Sequence, residues 1–196
     1  LAESLDEHVA PIELAEGPFR MPIDDTFTIK GRGTVVTGRV ERGSVRIGDE
    51  VDAVGPAGVN ATRIDGIEMA RRMTDVAAMP DAVGLLLRDI ARELASRGAV
   101  LAAKGTVTAV NSARVRVVRL RGSTDDERPG VLCALRGVEL GKVEIDGDDD
   151  DACELRAATA IPWELGAPLA LYRQVNRQYP ANQFGALEGL AFARGG

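Results

Sequence analysis

The sequence predicts an all-β protein of two β-barrel domains, entered through a short N-terminal helix or linker. Two observations carry this reading. From Phe19 onward, turn residues recur every eight to twelve positions, a spacing that suits short antiparallel strands rather than helices. Between those turns the runs are β-branched or alternate apolar with polar residues, as in "GSVRIGDEVDAVG", where Val45, Ile47, Val51 and Val54 are the apolar set and Gly48-Asp49 the turn.

Residues 1–17 form a leading piece. "LAESLDEHV" places Leu1, Leu5 and Val9 at a helical spacing with an acidic face, and "APIELAEGP" carries Pro11, Gly17 and Pro18 as a linker would. Residues 18–104 form the first barrel. "TFTIK", a Gly-Arg-Gly turn and "TVVTGRV" make a hairpin in which Gly38 marks a bulge or a close approach. "TRIDGIEMARRM" and "AVGLLLRDI" supply further strands, and "ARELASRGAVLAA" reads either as one helical turn or as a strand after Gly98.

Residues 105–196 form the second barrel. "GTVTAVNSARVRVVRLRG" divides into two strands, with Val115 and Val117 inward and Arg114 and Arg116 outward until "VRLR" reverses the phase at a bulge. "GVLCALRGVELGKVEIDG", "CELRAATAIPW", "GAPLALYRQ" and "GALEGLAFARGG" complete it, and no internal repeat of fixed period is present.

Composition narrows the function. The 196 residues are 45% hydrophobic and 28% charged, enough apolar content for real cores and without a disorder signature or a membrane-spanning run. Cys133 and Cys153 lack metal-ligand spacing and His8 is the sole histidine, so no zinc site is read, and two reduced, mostly buried thiols fit a cytoplasmic setting. The net charge of −6 argues against a general nucleic-acid coat. Much of the acidity is in residues 1–17, with five acids and no Lys or Arg. Residues 18–104 hold thirteen basic and twelve acidic residues, including Arg32, Arg39, Arg42, Arg71, Arg72, Arg88, Arg92 and Arg97.

"GRGTVVTGRVERG", Gly31 to Gly43, has the glycine density of a phosphate cradle but not its chemistry. Such a cradle needs a helix behind it and, for a nucleoside triphosphate, a Lys-Ser or Lys-Thr pair. Here Thr34, Val35, Val36 and Thr37 stiffen an extended backbone, and no lysine follows Gly38. With no G-x-x-x-x-G-K-[ST] elsewhere, GTP binding and hydrolysis are not assigned to these residues, and no enzymatic activity or cofactor is expected of them.

"FRMPIDDTFTIKGRGTVVTGRVERGSVRIGDEV", followed by "GIEMARR" and "AVGLLLRDIARELASRGAVLAAKGTV", closely resembles the second domain of bacterial elongation factor Tu and related translational GTPases, over roughly residues 18–107. "LAESLDEHVAPIE" resembles the helix and linker that end that family's GTPase domain, which leaves two histories open: a piece of a larger factor, or a protein that lost its first domain. The resemblance implies a barrel that holds the 3′ end of aminoacyl-tRNA, with the terminal adenosine near Asp24, Asp25, Thr26 and Phe27. Arg32 and Thr37 follow in the same hairpin, and Glu68, Arg71 and Leu86 lie on neighbouring strands. A carboxylate accepts from a ribose hydroxyl, apolar side chains sandwich a purine, and an arginine meets phosphate. Ala70 stands where the family has an aromatic, and Ala82 where it has Asn. The second barrel, in the place of the family's third domain, keeps only faint echoes of its wording.

Two functions follow as expectations. One is a module that binds the acceptor end of aminoacyl-tRNA; the other is a protein-interaction module that docks on the ribosome or on a separate GTPase. Of the remaining motifs, "DGDDDD" (Asp146 to Asp151) fails as a calcium loop, because Asp151 sits where the sharp-turn Gly belongs and Ala157 where the bidentate Glu belongs. It reads as an acidic hairpin tip. Trp163, Tyr172 and Tyr179 read as core or interface anchors.

Overall fold

The computed structural model describes residues 16–119, 131–135, 138–146, 153–164, 168–173 and 187–193. The predicted N-terminal helix at 1–9 and most of the acidic tip fall outside them.

The first ten strands are β1 (Arg20–Pro22), β2 (Asp25–Ile29), β3 (Gly33–Arg39), β4 (Ser44–Arg46), β5 (Glu50–Gly55), β6 (Gly58–Met69), β7 (Arg72–Thr74), β8 (Val76–Ala78), β9 (Ala82–Leu87) and β10 (Val100–Ala103). Their main sheet runs β1-β10-β5-β6-β9-β3-β2, with β7 paired to β6 and a separate ribbon of β4 with β8. The two end strands are joined by only residues 23–24. Ile23 N–H donates to the Ala99 carbonyl at 2.9 Å and Asp24 N–H to the Thr37 carbonyl at 2.8 Å, while an antiparallel bridge joins Arg20 to Arg42. These contacts bring the two ends of the sheet together.

The reason the hairpin β2–β3 forms is local. Arg32 N–H donates to the Ile29 carbonyl at 2.9 Å, and Gly31, the third residue of that turn, has φ 77°, which a side chain would disfavour. Gly38 is a close approach and not a bulge. Its register with Val83 is regular, and a Cβ there would strike the Pro22 carbonyl oxygen. "ARELASRGAVLAA" contains both of its alternatives, a 3-10 helix at Arg92–Ala95 and the strand β10. That 3-10 segment belongs to a connection anchored by buried threonines: Thr62, Thr34 and Thr26 donate their hydroxyls to the carbonyls of Arg88, Ile90 and Ala95 at 2.7, 2.6 and 2.5 Å. Inside lies a core of Met21, Ile23, Val36, Ile64, Ile67, Leu85, Leu87 and Leu101, all fully buried.

The other six strands, β11 (Thr108–Arg119), β12 (Val131–Leu135), β13 (Val138–Asp146), β14 (Cys153–Trp163), β15 (Pro168–Arg173) and β16 (Leu187–Ala193), close into a barrel in the order β11-β14-β13-β12-β15-β16. The expected pair of strands in "GTVTAVNSARVRVVRLRG" is one long strand. Its irregularity falls between Val110 and Ser112, ahead of the expected phase change, so that β11 pairs with β14 along its first part and with β16 along its second. Val115, Val143, Leu155, Ile161, Trp163 and Leu169 form its buried core. Among the described residues, no strand of one set pairs with a strand of the other.

The two barrels meet through a small apolar patch of Val54, Val100, Ala102 and Val107 with Ala109, and through an ion cluster. Glu164, just after β14, accepts from Arg42 at 2.7 Å and lies 3.7 Å from Arg20, which is itself 3.9 Å from Glu41.

Candidate functional site

The outer face of the sheet formed by β2, β3, β9, β6 and β7 is where most of the sequence-predicted residues meet. Strand pairing sets them in rows. Asp25 pairs with Thr37, Thr37 with Gly84, Gly84 with Glu68 and Glu68 with Met73; one step along, Phe27 pairs with Val35, Val35 with Leu86 and Leu86 with Gly66. Residues opposite one another in a ladder share a face, so these two rows form one surface.

A concavity of about 230 Å³ opens on it, lined by Phe27, Thr37, Glu68, Ala70, Ala82, Val83 and Gly84. Its size comes from what is missing. Ala70 and Ala82 contribute only methyl groups, and Gly84 forms part of the floor, where an added Cβ would find its nearest neighbours at 3.9 and 4.0 Å. Phe27, on one wall, is 41% exposed, unusual for a phenylalanine, and offers a ring to a ligand. Glu68 is exposed, and among the described residues no cation pairs with its carboxylate. The concavity therefore offers one carboxylate, one hydroxyl and one aromatic ring, a set that accepts hydrogen bonds from hydroxyl or amino groups and packs against a flat ring.

The remaining predicted residues are distributed around and behind it. Asp24 and Asp25 are exposed at the rim, with Asp25 Oδ1 accepting from Thr26 N–H at 2.8 Å. Leu86 is half-buried, one row from the cavity. Arg71 sits in the two-residue turn between β6 and β7, where Ala70 has φ 49° and Arg71 φ 64°. Positive φ at both central residues makes this a type I′ hairpin, a turn that favours Asn-Gly, so the Ala-Arg pair holds strained backbone at the cavity's edge. Thr26 faces the other way: it is 4% exposed, and its hydroxyl anchors the 3-10 segment. Arg32 occupies the far tip of the β2–β3 hairpin. Thr37 lies four residue steps along the strand from Gly33 beside it, or about 13 Å.

Sequence reasoning missed Val83 and Gly84 as lining residues. The signal was a glycine inside the apolar run "AVGLLL", since a mid-strand glycine marks close approach or open space. Beyond the apolar row, Asp65 accepts from the Arg88 guanidinium at 2.8 Å, and that hydrogen bond and charge raise the pKa of Arg88 further. Among the described residues no three His, Cys, Asp or Glu side chains converge as a metal site would require.

Residues 33–102 match the family model of elongation factor Tu domain 2. The match begins at β3 and ends within β10, so it contains every lining residue of the cavity except Phe27. In whole-chain comparison the protein is similar in fold to translation elongation factor SelB from Methanococcus maripaludis in its apo form, with a TM-score of 0.75 and 18% identity over 99% of this chain and 45% of that one. It is likewise similar to a bacterial selenocysteine-specific elongation factor, EF-Sec, with a TM-score of 0.71 and 19% identity over 98% of this chain and 30% of that one. The chain thus spans less than half the length of either factor. The domain 2-type barrel and its companion together reproduce an arrangement found in translation factors.

Proposed function

We propose that this chain is a translation-factor module whose domain 2-type barrel binds the 3′ end of aminoacyl-tRNA in the cavity between Phe27 and Glu68. The observation that carries the reading is the concavity itself, which joins an exposed aromatic ring to an exposed carboxylate and a threonine hydroxyl on a barrel matching elongation factor Tu domain 2. Its volume is below the roughly 300–1,000 Å³ of pockets for drug-sized ligands, which suits a single nucleoside. The ring stacks on the base, and Glu68 accepts from a ribose hydroxyl. Asp24, Asp25 and Arg71 edge the site, Leu86 extends its apolar floor, and Arg32 at the hairpin tip reaches backbone phosphate further along the acceptor arm. With alanine at positions 70 and 82, one face of the base lacks a partner, and binding is correspondingly weak.

The test is a titration of labelled aminoacyl-tRNA, intact and with its 3′ adenosine removed, at two salt concentrations. Tighter binding of the intact RNA is expected, and Arg32→Ala should flatten the salt dependence by about one unit of slope. Equal affinity for both RNAs would sink the pocket. Binding to neither would favour the second reading, a docking module for the ribosome or a separate GTPase, for which Met73, 71% exposed beside this face, is the relevant observation.

A further inference from the structure

We propose that Arg42 couples the path of the leading segment, residues 16–19, to the seating of the second barrel against the first. Three parts of the chain meet at this one side chain. Its Nε donates to the Pro18 carbonyl at 3.0 Å, and its Nη2 donates to Glu164 Oε1 at 2.7 Å, across 122 residues of sequence. Its own backbone carbonyl accepts from Arg20 N–H at 3.0 Å. The aliphatic stem is engaged as well: a Cβ on Gly17 would lie 3.0 Å from Arg42 Cδ. Beside it, Gly43 at φ 66° lets the segment press onto the corner. An added Cβ there would stand 2.5 Å from the Gly17 carbonyl oxygen and 2.7 Å from Phe19 N.

The guanidinium makes this arrangement a coupling and not two separate contacts. It is planar and rigid, with donors in a fixed fork, so Nε and Nη2 cannot be aimed independently. If the leading segment shifts its Pro18 carbonyl, the plane turns and the short bond to Glu164 lengthens; if Glu164 moves with its barrel, the pull is returned to Pro18. The cost of breaking either contact is raised by burial, because the side chains of Arg42 and Glu164 are only 21% and 18% exposed and water replaces the lost partner poorly. Glu164 also lies 3.7 Å from Arg20, 11% exposed, so its departure removes a carboxylate from beside both arginines.

The experiment is hydrogen exchange on the full chain, comparing the wild type with Glu164→Ala and Arg42→Lys. Glu164 belongs to the second barrel, yet its removal should speed amide exchange in residues 17–20 by tenfold or more, while the β2–β3 hairpin, away from the contact between the barrels, exchanges as before. Arg42→Lys keeps the charge but has no fork to span Pro18 and Glu164, and it should loosen residues 17–20 and 163–164 together. If alanine at 164 prevents folding, the isosteric Glu164→Gln carries the same comparison. Unchanged exchange at residues 17–20 in the Glu164 variants would overturn the proposal. So would a uniform rise over both barrels, which would report lost stability in place of a connection.

Discussion

Thr26 and Phe27 are adjacent in β2, and the structure assigns them opposite jobs that a paired substitution can separate. Thr26 is buried, and its hydroxyl donates to the Ala95 carbonyl. Thr26→Val keeps the shape and removes the donor, leaving that carbonyl without a partner in a dry site, at a cost of about 1–3 kcal/mol. For a chain of this size each kcal/mol lowers Tm by roughly 2–4 °C, so a fall of about 2–12 °C is expected. Phe27→Leu keeps apolar bulk at a position already 41% exposed, and its effect on stability should stay below about 1.5 kcal/mol. It removes the ring, however, and the loss of a base-stacking contact is worth about 1–3 kcal/mol, or roughly 5- to 150-fold in affinity. The assays are urea unfolding and the aminoacyl-tRNA titration, performed on both variants. The reasoning is refuted if Thr26→Val weakens RNA binding while leaving stability intact, or if Phe27→Leu leaves the preference for the 3′ adenosine unchanged.

Three further outcomes are expected. Gly84→Ala should fold at least as well as the wild type, because its Cβ meets only ordinary contacts and a strand glycine costs about 0.5–1 kcal/mol, yet it fills the cavity floor and should lower RNA affinity. Replacing Ala70-Arg71 by Asn-Gly should raise stability by about 1 kcal/mol, read as a shift in urea midpoint, since both residues now hold positive φ. Glu50, hydrogen-bonded by Lys104 and Arg63, has its pKa lowered below the ordinary 4.5; its contribution is present above that value and fades as pH falls through the lowered one, so Glu50→Gln should flatten the acid limb of stability against pH, an effect 1 M salt should also remove.

The strands of the first barrel were legible because turn chemistry is local: Gly31 and Gly48-Asp49 specify their bends within four residues. Gly38 was ambiguous because its reason lies in the Pro22 carbonyl, on another segment. Thr26 was read as a site residue because nothing in "DDTFT" reveals that the hydroxyl is needed 69 residues later, at Ala95. Of the β4–β8 ribbon, β4 was read within "GSVRIGDEVDAVG" but β8 was not, since its three residues carry too little alternation to register. The cavity itself was partly visible: Phe27, Thr37 and Glu68 came from wording and residue type, whereas Gly84 took its meaning only from the row that strand pairing builds. The Arg42–Glu164 contact was invisible, as no periodicity links residues so far apart.

The two residues between β1 and β2 have a consequence for how the molecule behaves among its own copies. An open sheet ends in two rows of unsatisfied amides and carbonyls, and each row is a template on which another chain can add a strand. In the first barrel, the amides of Ile23 and Asp24 go to Ala99 and Thr37, extending the β1–β10 and β2–β3 ladders, and the Arg20–Arg42 bridge covers part of the outer side of β1. At the other end of the sheet, among the described residues, β2 pairs only with β3, and its "TFTIK", rich in β-branched residues and exposed at Phe27, Thr28 and Ile29, is the strand suited to adding onto a neighbour.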